Sequence, residues 1–156
     1  MKDLSQLAVD LQKVKGRIVE EVKVAQYNTA QQVTADAIMY APGTGGYASS
    51  IHATEPVVEE NRVKTRVITD AMTPVAKSTG NSYNLGFLLE NGTKPHIIEP
   101  IDAKVLHFTI NGEDIFAKIV YHPGFVARPH FTPALNKNKS LYIAELNKAV
   151  ERALNG

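Results

Sequence analysis

The chain has 156 residues, 44% of them apolar and 21% charged, with 17 basic residues against 16 acidic ones. That length and composition describe one folded domain with a core of its own, not a disordered chain. With no cysteine, disulfides, thiolate metal sites and cysteine nucleophiles are excluded. The near-zero net charge leaves no global electrostatic footprint for nucleic acid.

No apolar run approaches a signal-peptide core or a membrane span, so a soluble chain made in the cytoplasm is expected. From the start, Leu4, Leu7, Leu11, Val14 and Ile18 recur at steps of three and four, and Val22, Ala25, Thr29, Val33 and Ala37 continue the stripe. This predicts a helix over residues 1–40, with Asp3 as N-cap and Pro42 as its stop. A continuous helix of about 35 residues is roughly 50 Å long. It would either lie on its own sheet or project toward a neighbour, and Gly16 is where it would divide if it were two pieces.

Ala41 to Tyr47 is a loop by its proline and glycines. A sheet region follows over residues 49–121. Ser50 to Glu59 and Arg62 to Asp70 read as two strands joined at Glu60-Asn61, with Val63, Thr65, Val67 and Thr69 on one face. Pro56 marks the first strand as an edge or as carrying a bulge. Residues 71–82 read as a mobile connection, and Tyr83 to Leu89 fits either a short helix or a buried strand. Asn111-Gly112, between two apolar runs, is a strong hairpin signal. The last helix is placed at 132–155, capped by Thr132 with Pro133 in its first turn, and burying Leu135, Leu141, Ile143 or Ala144, Leu146, Val150 and Leu154. The fold class is α+β in a single domain, 1–156: a long N-terminal helix, an antiparallel sheet of about four strands and a C-terminal helix.

The chemistry-bearing residues are sparse. His96, His107, His122 and His130 lie at spacings that put no two rings on one face automatically, and no His-Glu-x-x-His occurs. His96 and His122 each abut a turn proline, where a ring commonly bonds to backbone. Gly43-Thr44-Gly45-Gly46 lacks the lysine and preceding strand of a phosphate loop, so it reads as a flexible or interface loop. No nucleophile elbow or paired carboxylates are present, and Glu90, beside an apolar stretch, reads as a salt-bridging or capping residue. Arg128, Lys137 and Lys139 form a local basic segment with no acidic residue between His122 and Ser140. It suits a solvated helix start or a surface near DNA. No enzyme activity, cofactor or metal is expected.

Taken in order, these segments resemble a known family. Ala41-Pro42, Thr44-Gly45 and Ser50-Ile51 are similar to the junction after the first helix in the small head–tail joining proteins of tailed bacteriophages, also described as tail-component, tail-completion or minor capsid proteins. Tyr83 to Leu89 with Glu90-Asn91-Gly92-Thr93 resembles the next segment of that family. So do His96-Ile97-Ile98, Pro100 and Leu106-His107-Phe108. His122-Pro123-Gly124, Arg128-Pro129 and Phe131 to Leu135 are similar to its closing pattern. The likeness covers about Ala37 to Leu135. His130 departs from it, standing where an apolar residue is usual, and so does Ala48-Ser49, where a polar or basic residue is common.

The resemblance implies a structural virion protein at the head–tail junction, assembled in the host cytoplasm. It would form a ring of copies, hexameric or larger, between the head connector and the tail tube. Thr44, Gly45, Gly46, Tyr47, Glu90, His122, Arg128 and His130 become candidates for the subunit interface, and Arg128, Lys137 and Lys139 for a lumen that DNA crosses. The loops 41–50 and 71–82 would be ordered by neighbours. Alternatives are a tail terminator that caps tube growth, a small histidine-dependent metal protein or enzyme, and a host nucleic-acid-binding module.

Overall fold

The computed structural model describes residues 3–43, 46–73, 81–100 and 103–155. In chain order the described elements are α1 (Leu4–Tyr40), α2 (Gly46–Ser49), β1 (Ile51–Ala53), β2 (Val57–Glu59), β3 (Arg62–Lys64), β4 (Val67–Thr69), α3 (Leu85–Asn91), β5 (His96–Ile98), β6 (Leu106–Ile110), β7 (Glu113–Ala117), β8 (Val120–His122) and α4 (Phe131–Asn155). The mixed helix-and-strand class is as the sequence predicts. The expected sheet of about four strands is realised differently, as four two-stranded antiparallel ladders among the described residues. Contacts gather the chain into two compact units, Met1–Thr69 with His130–Gly156, and Asp70–Pro129.

In the first unit α1 runs unbroken for 37 residues through Gly16, about 55 Å at the helical rise. Gly16 faces open space, so its cost is one of helix propensity alone, about 1 kcal/mol. Asp3 is the N-cap residue through its backbone: the Leu7 N–H donates to the Asp3 carbonyl at 3.0 Å. Its carboxylate instead accepts from the Ser5 hydroxyl at 2.6 Å. The helix ends at Tyr40, two residues before Pro42.

α4 packs antiparallel along α1, tied by Arg152 to Glu21 at 2.7 Å and by Lys137 to Asp36 at 2.6 Å. The buried seam is made of small residues: Ala25, Thr29, Ala30, Val33, Thr34 and Ala37 from α1, and Ala134, Asn138, Ala149 and Ala153 from α4. Small side chains let the helix backbones approach closely. The two threonine hydroxyls donate back to the Ala25 and Ala30 carbonyls at 2.9 and 2.8 Å, so their burial leaves no polar group unsatisfied.

This seam corrects the predicted face of α4. Leu135, Leu141, Ile143, Val150 and Leu154 are exposed, because the alanine face one position round the helix makes the closer fit. Thr132 is not the cap either. The helix already begins at Phe131, and the Ala134 N–H donates to the His130 carbonyl. Pro133 lies in the first turn, where a missing N–H forfeits no intrahelical bond.

The first unit also holds a β-hairpin turning at Glu60-Asn61, both with positive φ. Its outer ladder pairs Val57 with Lys64 and Glu59 with Arg62, and its inner ladder pairs Ala53 with Val67 and Ile51 with Thr69. Between them residues 54–56 oppose only residues 65–66, so the strand bearing Pro56 does carry a bulge. There the Thr54 hydroxyl accepts the Arg66 N–H at 3.0 Å. Val63, Thr65, Val67 and Thr69 form the inward face, as their alternation predicts. Ile51 joins Val33, Ala37 and Ala134 in the core cluster.

The second unit is built from backbone pairing. β5 pairs with β8, and β6 pairs with β7 across Asn111-Gly112. The ambiguous segment at Tyr83 is settled as a helix from Leu85, because the Asn84 side chain accepts the Phe87 N–H at 3.0 Å and caps it. Among the described residues of this unit only Gly86 is buried. No helix among the described residues is long and apolar enough to cross a membrane.

Candidate functional site

Of the predicted interface residues, Thr44 and Gly45 lie outside the described residues, as do residues 74–80 of the second loop. Gly46 opens α2 and is exposed, while Tyr47, next to it, turns inward. The Tyr47 hydroxyl hydrogen-bonds the Nε2 of His130, and the two rings meet edge to face at 5.4 Å. His130 is fully buried and stacks at a tilt on Phe131, with centroids 4.4 Å apart. The His130 ring has no exposed surface and is a core group of this unit. It anchors the start of α4 to the residues that follow the glycine-rich loop.

In the second unit, the segment through Gly92-Thr93 and the segment through His122-Pro123-Gly124 face each other. Thr93 and Phe125 exchange backbone hydrogen bonds at 3.0 and 3.1 Å, and the Arg128 N–H reaches the Leu89 carbonyl at 2.7 Å. Gly92 and Gly124 both have positive φ, and neither has room for a side chain. A Cβ at Gly124 would lie 2.2 Å from the Thr93 carbonyl oxygen, and one at Gly92 would lie 2.6 Å from the Ala127 nitrogen. The Gly-Thr and His-Pro-Gly motifs are therefore two sides of one backbone clasp. Glu90 is half-buried on α3 beside it, and the Arg128 side chain is exposed.

His122 sits opposite His96 in the β5–β8 ladder, an adjacency that sequence spacing did not reveal. Their rings lie 4.9 Å apart. Both rings bond to backbone, as expected beside prolines. The His96 Nδ1 faces the Lys94 carbonyl at 2.9 Å, and the His122 Nδ1 accepts the Gly124 N–H at 3.1 Å. In their neutral forms the two rings are thus opposite tautomers, one protonated at Nδ1 and the other at Nε2. His107 stacks on Phe116 at 4.6 Å and meets Asp114 at 3.0 Å. Among the described residues, no three histidine or carboxylate side chains gather as a metal-holding group.

The lumen candidates separate as well. Lys137 and Lys139 are two positions apart on α4, about 200° of helical rotation, and so face different ways. Lys137 is engaged by Asp36, which raises its pKa, and it lies 5.9 Å from the Tyr40 ring centroid. Lys139 stands instead on the rim of an open groove between α1, α4 and the β3–β4 arm.

That groove is the feature the sequence did not disclose. Gln26 braces its floor, donating to the Val63 carbonyl at 3.1 Å and to the Tyr142 hydroxyl at 2.9 Å. Val33, Val63, Val67, Phe131 and Leu135 give it apolar walls. On α1, meanwhile, every residue from Leu4 to Lys13 is exposed except half-buried Asp10. Small residues four apart, Ala25 with Thr29 and Ala30 with Thr34 on α1 and Ala149 with Ala153 on α4, were the available signal, since they mark a close helix pair that leaves the leucines outside. No family model, curated protein or solved structure matches the chain.

Proposed function

We propose that the chain is a non-catalytic structural subunit of a tailed-bacteriophage virion, assembling as a closed ring, hexameric or larger, at the head–tail junction. The observation that carries this reading is the inversion of side-chain size in the first unit. Alanines and threonines fill the α1–α4 seam, while Leu4, Leu11, Leu135 and Leu154 remain 82%, 61%, 61% and 58% exposed. Each leucine is worth roughly 1.5–3 kcal/mol when buried. Apolar surface laid out along two long helices is what a subunit keeps for its neighbours. Ordered segments of the head–tail joining resemblance support the same reading, and the Gly92–Gly124 clasp gives those motifs a physical reason to occur together. Connector and tail-tube proteins are the proposed partners on the two faces of the ring, with DNA passing transiently through it.

Sedimentation velocity and negative-stain imaging over a concentration series test this. A monomer or weak oligomer at low concentration should give way to closed rings at high concentration or on a connector. A chain that stays monomeric in every condition, connector included, would rule the reading out. So would stoichiometric zinc or manganese in the purified protein that is lost when His107 or His122 is replaced, because that behaviour belongs to the metal-protein alternative.

A further inference from the structure

α4 runs out before α1 does. Its last ion pair joins Arg152 to Glu21, and the α1 residues before Val14 extend past it as an exposed overhang. Leu4, Leu7 and Leu11 form one stripe along this overhang, spaced three and four apart. Asp3 and Asp10, seven residues apart, share the edge of that stripe, and there is no basic residue from Asp3 to Gln12. The groove braced by Gln26 has the opposite character. It is walled by apolar side chains, and its charged lining residues are all basic: Lys64, Arg66 and Lys139. Of these, Lys64 is paired with Glu59, and the Arg66 charge also acts on the Glu59 carboxylate, which leaves Lys139 on the far side of the groove. The dimensions agree too. Phe131 to Tyr142 along α4 spans about 16 Å at the helical rise, and the acidic stretch from Asp3 to Gln12 along α1 about 14 Å.

We infer that the α1 overhang of one copy seats in the groove of the next, with Leu4, Leu7 and Leu11 on the apolar walls and Asp3 and Asp10 toward Arg66 and Lys139. The occupant is a second copy of this chain because every copy carries both an acidic, leucine-striped rod and a basic, apolar receptor of matching length. Rod and receptor are different surfaces, so the contact is head-to-tail. Such a contact propagates from copy to copy and closes into a ring when its rotation allows. The inference rests on the ring reading for its biological setting, but it specifies a contact that can stand or fall by itself.

Photo-crosslinking of the full chain tests it, with p-benzoylphenylalanine in place of exposed Leu7 and a mixture of nitrogen-15-labelled and unlabelled copies to identify inter-chain adducts. The expected adduct joins position 7 to residues 63–67 or 131–142 of another copy. An adduct to residues 4–18 of another copy, or to any other surface, overturns the docking while leaving a ring possible. The expected adduct in open chains without rings upholds the docking and overturns the ring. Absence of any inter-chain adduct up to millimolar protein, with the connector present as well as without it, overturns both.

Paired variants add a second readout. Leu7→Asp with Leu11→Asp should weaken self-association on the order of 100-fold, and Leu135→Glu comparably, each with an unchanged monomer melting temperature. Mixed together, the two variants should form a one-to-one complex that grows no further, since one intact rod and one intact groove remain. Normal assembly by the Leu135→Glu variant alone would overturn the proposal.

Discussion

The two halves of α1 carry the same pattern and meet different fates. From Ala25 to Ala37 the stripe is buried against α4, whereas Leu4, Leu7 and Leu11 on the same stripe stand in solvent. The residues differ in size in the opposite sense to the usual expectation, with alanine and threonine covered and leucine bare. Periodicity fixes the direction in which a helix needs cover, but side-chain volume decides which stretch a close antiparallel partner can take. The covered half serves the fold of one copy. The bare half is the rod of the contact proposed between copies.

The strongest way to break that contrast is to put a large side chain into the covered half. Ala37 and Ala134 both have no exposed surface and belong to the same core cluster. Ala37→Leu should therefore cost about 1–3 kcal/mol through overpacking, seen as an earlier urea midpoint in dilute protein. An unchanged midpoint would mean that the seam is loose and that α1 and α4 are not held by close contact. Next in size is Tyr47→Phe, which removes the hydroxyl that meets the buried His130 Nε2. A loss of about 1–2 kcal/mol is expected, with Tyr121→Phe, on an exposed ring, as a control that changes nothing.

Much of this architecture was legible beforehand, and the exceptions share a cause. The first helix, the Glu60-Asn61 and Asn111-Gly112 turns and the bulge at Pro56 all follow from local rules of periodicity, turn chemistry and missing donors. The buried face of α4 does not, because Leu135 and Ala134 compete for the interior and only the shape of α1 decides between them. His130 was missed as a core residue because its partner, Tyr47, lies 83 positions away. The His96–His122 pairing needed a ladder register that links segments 26 residues apart. The groove at Lys139 needed three elements at once. Local signals thus reached the elements, while the candidate interface, made of surfaces that tertiary packing leaves over, stayed out of reach.

A smaller effect sharpens the comparison at the boundary between the halves. Gly16 is helical, exposed and has no atom near the place of a Cβ. Gly16→Ala should stabilise the overhang by about 0.5–1 kcal/mol and raise helical circular dichroism without altering assembly. A drop in helicity would show that the rod is divided there. Smaller again is Leu7→Ala, which should change monomer stability by less than about 0.5 kcal/mol. A cost of about 2–5 kcal/mol, the value for a buried leucine, would mean that the overhang is already covered within one copy.

The least of these effects is confined to the covered half and depends on pH. Asp36 accepts from the Lys137 ammonium and from the Asn138 amide, both at 2.6 Å. The Lys137 hydrogen bond first, then that of Asn138, holds the Asp36 carboxyl below its ordinary value of 3.8. Asp36 in turn lifts Lys137 above 10.5. A carboxylate lowered by folding stabilises the fold above its unfolded value and ceases to do so as pH falls through the lowered one. A lysine raised by folding contributes fully below its unfolded value and loses that contribution as pH rises through the raised one. The clip is therefore complete across neutral pH, weakening in acid below 3.8 and in alkali above 10.5. Asp36→Asn should melt slightly earlier than the parent chain at neutral pH, by an amount that shrinks in salt because the lysine is half exposed. That gap should close in acid as the parent carboxylate is protonated. Hydrogen exchange should place the change at residues 33–40 and 134–141, with residues 4–13 unaffected. A gap that persisted unchanged into strong acid, or a change spread into the overhang, would show that the two halves of α1 are not the independent regions their packing describes.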